Sequence, residues 1–411
     1  MIMSAAKVDE VRAYFAANRQ AMIAFLERLV LAESPSARPE SQQEVLAALY
    51  GSLTELDYHV HLVPGRTSGG HLVARPNTRI RGRPLQLLVG HCDTVWPVGT
   101  LKHMPLKTGD GRMAGPGVYD MKAGLVQILW ALRAIRDLHI PLEVTPVVVV
   151  NSDEEIGSRE SSATIHRLAR RAERAFVLEP SLGDNGRLKT QRKGVGRFTV
   201  EITGRAAHAG LDPESGASAI LELSFQIQQL FALNDLDRGV TVNVGQIDGG
   251  LQPNVIAPAS KAVVDVRVPS QADAARVESA IRALTPQTPG VSIAVEGYFG
   301  RPPLEHTPRN RALWALARRC GESLGVTLEE GMAGGGSDGC TTSLYTATLD
   351  GLGAVGGGAH AAHEFIYLDS LVERGALLTL LLSAPSASLA APAGATAESS
   401  DRAPMLEGSE P

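Results

Sequence analysis

His91 and Asp93 stand two positions apart, directly after an apolar run at residues 85–90. Further along come Asp120 behind a Gly-Pro-Gly turn at 115–117, the acidic triplet Asp153, Glu154 and Glu155, then Glu179, and near the end His360. Imidazole nitrogens and carboxylate oxygens are donors that suit a divalent ion such as zinc. Taken singly, a His-x-Asp pair reads as a satisfied polar pair and an acidic triplet as a solvated turn. Taken together, they point to a metallohydrolase, and to one with two metals. Such a centre needs a carboxylate shared between ions about 3.5–4 Å apart. It also needs a His and a carboxylate on each ion, and an uncoordinated carboxylate to take a proton from water. The adjacent Glu154 and Glu155 can divide these duties, one binding metal and the other acting as base.

These side chains must be carried to one place. Residues 85–89 and 144–150 are apolar runs of strand length, and 175–178 is a shorter one. Runs of this kind suit strands buried on both faces. Helical spacing of apolar residues predicts helices over 8–31, 42–56, 121–138 and 161–171, with short strands at 60–63 and 71–74. The alternation predicts an α/β fold with a mostly parallel sheet. In such sheets ligands bind beyond the carboxyl ends of the strands. His91 and Asp93 follow one strand, the acidic triplet another and Glu179 a third, so one sheet edge gathers them. After Arg192 the pattern changes. Strands at 196–203, 240–247, 262–268 and 291–295 enclose helices at 217–231 and 272–284, the β-α-β-β-α-β order of a ferredoxin-like sandwich. The expected organisation is a catalytic domain in two parts, 1–192 and 302–382, with an inserted lid or dimerisation domain at 193–301. A tail at 383–411, rich in Ala, Ser and Pro, has little to bury and is expected to be disordered.

The 411-residue chain has a net charge of -5, which argues against a nucleic-acid partner. No apolar run reaches membrane-spanning length, and the first residues lack an apolar signal core, so the expected location is the cytoplasm. Three scattered cysteines make no disulfide framework. Cys92 follows His91 on an extended segment, where neighbours face opposite ways, and is expected to pack inward.

From residue 8 to residue 382 the chain resembles the M20 metallopeptidases, and within them the glutamate carboxypeptidase (carboxypeptidase G2) branch. The motifs that carry the resemblance are Gly90-His91-Cys92-Asp93-Thr94-Val95, the run 115–124 around Asp120, and 153–158 around the acidic triplet. Glu179-Pro180, the run 204–210 around His208, and Gly334-Gly335-Gly336-Ser337-Asp338 add to it. The resemblance implies a pair of Zn2+ ions, with Co2+ or Mn2+ as alternatives. His91 and Glu179 would bind one ion, Glu155 and His360 the other, and Asp120 would bridge them. Glu154 would be the general base, and Asp93 would orient His91 through its second ring nitrogen. His360 is preferred over His363 because Glu364 and Phe365 follow at the family's spacing. A non-proline cis peptide bond is implied after Asp120. His208, from the inserted domain and often from a partner subunit, would polarise the scissile carbonyl. Asn254 and Arg267, with Arg301 as a weaker candidate, would hold the substrate carboxylate, and Gly335 would line the substrate loop. The implied activity is release of a C-terminal amino acid, glutamate above all, from N-acyl or peptidyl conjugates by a homodimer. An N-acyl-amino-acid deacylase or dipeptidase is the near alternative. An inactive ligand-binding relative is the remote one.

Overall fold

The computed structural model of the protein describes residues 3–78 and 80–386. Its main sheet has six strands in the spatial order Tyr58–Val63, His71–Pro76, Thr145–Asn151, Leu85–His91, Ala172–Val177 and Ala347–Leu349. The last four run parallel. The first two form an antiparallel hairpin added at one edge, where His71–Pro76 pairs antiparallel with Thr145–Asn151. Mixed α/β architecture with a mainly parallel sheet is therefore as expected. The apolar runs lie at its centre: in Leu85–His91 and Thr145–Asn151 every residue after the first is buried. The helix Ala123–Asp137 is buried almost all round because it packs against the helices Ala5–Leu31 and Leu368–Ser383 as well as the strand Leu85–His91. Gly124 lets it lie close to the sheet, since a Cβ there would strike the carbonyl oxygen of Leu178.

A second unit carries a four-stranded antiparallel sheet in the order Thr241–Gly249, Ala259–Val268, Gly194–Thr203 and Ser292–Arg301. The helices Ala219–Phe231 and Gln271–Arg282 pack against it over a core of their own, built from Phe198, Val200, Val264, Val266, Val277 and neighbours. The βαββαβ order and this strand arrangement are those of the ferredoxin-like sandwich.

Three features lie outside the sequence expectations. A four-stranded antiparallel sheet is assembled from pieces of two or three residues: Lys107–Gly109, Arg112–Ala114, Phe365–Tyr367 and Gly356–Gly357. Leu188–Arg192 pairs in parallel with Glu330–Ala333. Ser383, expected at the head of the tail, instead closes the last helix, and Ala384 after it is buried. The rest of the tail from residue 387 lies outside the described residues. That helix end is held from below the sheet. Gln86 Nε2 donates to Leu382 O at 2.9 Å, and Arg174 Nη2 donates to Ala384 O at 2.6 Å. Gln86 and Arg174 stand near the amino ends of their strands, and Arg174 Nε donates to Gln86 Oε1 at 2.9 Å.

Candidate metal centre

The carboxyl ends of three adjacent strands supply the centre. His91 ends Leu85–His91, Asp153–Glu155 follows Thr145–Asn151, and Glu179 follows Ala172–Val177. Asp120 comes from an irregular turn at Val118–Lys122 that leads into the helix Ala123–Asp137. Gly117, with φ of 72°, starts that turn in the left-handed region. The Asp120–Met121 peptide bond is cis. Lys122 of the same motif does structural work: its buried ammonium donates to the carbonyls of Leu29 and Ala32, at the end of the first helix.

Two groups of ligand atoms share one residue. His91, Asp120 and Glu179 form the first, and Asp120, Glu155 and His360 the second, with the atoms of each group within 4.8 Å of one another. The two oxygens of Asp120 face different histidines. Oδ1 lies 3.2 Å from His91 Nε2, and Oδ2 lies 3.5 Å from His360 Nε2. His91 Nε2 is 3.5 Å from Glu179 Oε1, and His360 Nε2 is 3.1 Å from Glu155 Oε2. Each group thus offers one imidazole, one private carboxylate and a share of Asp120. This donor set fits a pair of divalent ions. His363, the rival of His360, is exposed and belongs to neither group.

Burial and close contacts shift the titration of several of these groups. Burial opposes a charge on His91, yet hydrogen bonds to Asp120, Asp93 and Glu179 push its pKa well above the ordinary value. Hydrogen bonds to Asp120 and then Glu155 raise His360 to about 10. Burial raises Glu154 well above the usual carboxylate range, with Arg301 working the other way.

Asp93 ties the two groups together. Its Oδ1 lies 3.4 Å from His91 Nδ1 and accepts from Glu154 N at 3.2 Å. Its Oδ2 accepts from Glu155 N at 3.1 Å and from Ser36 Oγ at 2.7 Å. His91 Nδ1 also lies 3.0 Å from the Asp93 backbone carbonyl, so this one residue fixes the histidine through carbonyl and carboxylate together, and through its carboxylate the turn that carries both adjacent glutamates.

Glu364 does the same for Asp120. Its carboxylate accepts from Gly117 N, Tyr119 N and Asp120 N at 2.9, 2.9 and 3.0 Å, and from the Trp96 indole at 2.9 Å. In the sequence Glu364 served only to locate His360; no local pattern ties it to a turn more than two hundred positions earlier. Arg192 is a further residue missed. Its buried guanidinium reaches Glu179 at 3.2 Å and Asp350 at 2.7 Å, and donates to the carbonyls of Gly335 and Gly336.

A cavity of about 480 Å³ opens over these groups. Asp120, Glu154, Glu155, Glu179, His360, Lys189 and Gly335 are among its lining residues. Of the residues expected to meet the substrate, Gly335 is in this lining. Arg301 does not line it. Its guanidinium turns inward to Glu154 Oε1 at 2.8 Å, Asp338 Oδ1 at 2.7 Å and Ser158 Oγ at 2.9 Å, so both of its terminal nitrogens are engaged by the protein.

His208, Asn254 and Arg267 are absent from the cavity lining. His208 and Asn254 are neighbours on the second unit, where Ala209 N donates to Asn254 O at 3.0 Å and His208 bridges to Val255. His208 Nδ1 accepts from Gly210 N at 3.2 Å and Leu211 N at 3.1 Å. In the neutral ring this leaves the proton on Nε2, an exposed donor. Arg267 makes a bidentate pair with Asp265 of its own strand, at 2.7 and 3.1 Å.

A model described as peptidase family M20/M25/M40 matches residues 87–384. Carboxypeptidase G2 of Pseudomonas sp. (strain RS-16) is 29% identical over 383 residues, covering 90% of this chain and 91% of that protein. Acetylornithine deacetylase of Myxococcus xanthus is 35% identical over 216 residues, 49% of this chain and 54% of that protein. Among solved structures, aminopeptidase PepT from Bacillus cereus ATCC 10987 superposes with a TM-score of 0.75 at 22% identity. That match covers 91% of this chain and 99% of the other.

Proposed function

The chain belongs to peptidase family M20/M25/M40, a metal-dependent family of peptide and amide hydrolases, and from that premise we propose a two-zinc carboxypeptidase that releases a C-terminal amino acid, glutamate first, from N-acyl or peptidyl conjugates. The observation that carries this reading is the sharing of Asp120 between two His–carboxylate groups, with Glu154 beside them and outside both. His91, Glu179 and one oxygen of Asp120 would hold one ion; Glu155, His360 and the other oxygen would hold the second. When bound, such ions supply a more acidic water and a polarised carbonyl. Glu154 takes the proton of the attacking water and passes it to the leaving amine. Asp93 keeps the Nε2 of His91 turned toward the centre. His208 offers its Nε2 proton to the carbonyl oxygen as negative charge develops there.

Because His208 does not line the cavity, we place that contact across a homodimer, with the second unit of one subunit over the cavity of the other. Ile247, Leu251 and Leu221 of the second unit are exposed, and Thr241–Gly249 is a free sheet edge; both suit a two-fold contact. Asn254 then approaches the substrate together with His208, and Arg267 exchanges Asp265 for the substrate carboxylate. An N-acyl-amino-acid deacylase is the second reading, favoured by the likeness to acetylornithine deacetylase. Zinc-loaded protein assayed on N-acylglutamates, N-acetylornithine and dipeptides separates them. Glutamate release that stops on chelation and returns with zinc is the expected result. Release of ornithine with none of glutamate would move the assignment to the deacylase.

A further inference from the structure

The buried cations around the metal centre differ in one respect. Arg192 is engaged by Asp350, Glu179 and two carbonyls, Arg301 by Glu154, Asp338 and Ser158, and Lys122 by two helix-end carbonyls. Lys189 lines the same cavity and is only 8% exposed. Its backbone is fixed on both sides, with Lys189 N donating to Asp350 O at 2.8 Å and Asp350 N to Lys189 O at 3.3 Å. Its stem lies over Gly351, where a Cβ would come within 3.0 Å of Cγ, so the glycine clears a channel for the side chain. Among the described residues, no hydrogen bond or ion pair engages its ammonium. The stem is buried while the ammonium opens onto the cavity, where its three donors are available to an anion that enters. Four of the cavity carboxylates are committed elsewhere, Asp120, Glu155 and Glu179 to the histidines and Glu154 to Arg301, and Asp184, which also lines the cavity, makes no ion pair with Lys189. Divalent ions on the first three would commit them further.

We propose that Lys189 is the anchor of a carboxylate subsite in the parallel-sheet unit, which selects substrates carrying a second carboxylate besides the α-carboxylate of the amino acid released. This rests on the hydrolase reading given above. There, the α-carboxylate falls to Arg267 and Asn254 on the inserted unit, and Lys189 meets the other acid from beneath. Two substrate sources offer that chemistry: an acidic side chain on the leaving amino acid, or a dicarboxylic acyl group.

The test compares wild type with Lys189→Met and Lys189→Arg on N-acetylglutamate, N-succinylleucine and N-acetylleucine, with zinc content measured for each protein. The expected result is a fall of about tenfold to a hundredfold in the preference, by kcat/KM, for one acidic substrate over N-acetylleucine, carried mainly by KM. Lys189→Arg should recover part of it. The acidic substrate that loses its preference names the source. Equal losses on all three substrates, or a loss of zinc, would overturn the proposal. Calorimetric titration of glutarate into zinc-loaded wild type and Lys189→Met supplies a readout independent of turnover. Glutarate should bind the wild type at least tenfold more tightly. If no substrate is cleaved, the hydrolase reading fails by itself, and equal glutarate affinities would then overturn the subsite.

Discussion

Asp93 and Arg267 are both charged residues carried by sheets, yet they are held in different ways. Asp93 is fully buried and has four partners, three of them far along the chain: Ser36 and the backbone of Glu154 and Glu155, besides His91 two positions away. Arg267 is a third exposed and has one partner, Asp265, two positions away on the same strand. The contrast extends to their surroundings. In the parallel-sheet unit the candidate metal-ligand side chains converge, and all but the half-exposed His360 are positioned by a buried neighbour. On the inserted unit, His208, Asn254 and Arg267 face solvent or their own strand. The centre that would cleave the bond is thus assembled within one unit, whereas the groups assigned to holding the substrate still have to be brought to it.

Four measurements sharpen or break this contrast. Glu154→Gln should keep zinc and lose about 10²- to 10⁴-fold in kcat, the usual range for a general base. Full activity in that variant would remove Glu154 from the chemistry. His208→Ala should lose about 10²- to 10³-fold with metal content unaltered. If His208 acts across the subunit interface, mixing refolded His208→Ala and Glu154→Gln chains should restore activity in the hybrid dimer, to about a quarter of wild type at equal mixing. No restoration would put His208 and Glu154 to work on the same chain. For Arg267→Ala we expect a KM rise of about tenfold on N-acylglutamates. Its exposed ion pair is worth under about 1 kcal/mol, so the melting temperature should hardly move.

The smallest effect lies in a loop of the parallel-sheet unit. Glu160 accepts from Arg66 N, Thr67 N, Ser68 N and Ser68 Oγ. Burial works against its charge, but the Ser68 hydroxyl and these backbone donors pull its pKa down from 4.5 to about 2. A depressed carboxylate stabilises the fold above its unfolded pKa and loses that effect as pH falls through the folded one. Glu160→Gln should therefore cost about 1 kcal/mol at pH 7, and the difference from wild type should fade between pH 4.5 and about 2. Thermal melts at pH 7 and pH 3 would show it, and a constant difference would refute it.

The parallel-sheet unit was the more legible region in the sequence, for a physical reason. Central strands buried on both faces announce themselves as apolar runs, and the strand-end rule then places His91, Glu155 and Glu179 on one edge. The ferredoxin-like order was readable from alternation in the same way. Strands of two or three residues have no period to detect, so the sheet that brings Phe365–Tyr367 beside Arg112–Ala114, and with it Glu364 to the Asp120 turn, was invisible. Leu188–Arg192 is mostly polar and would pass for a solvated segment, which hid both Arg192 and Lys189. Arg301 was expected to face the substrate. The sequence could not reveal that Asp338 and Glu154 would claim its guanidinium first.

The clasp of Gln86 and Arg174 on the end of the last helix has a practical consequence. Leu382 and Ala384 are gripped at the amino ends of the same strands whose carboxyl ends carry His91 and Glu179. Five or so strand residues at about 3.3 Å each put roughly 15–20 Å of sheet between that grip and the ligands. A label or cross-link introduced at the end of the last helix, at Ser383 or Ala384, would therefore sit at the face opposite the cavity mouth and leave that mouth clear.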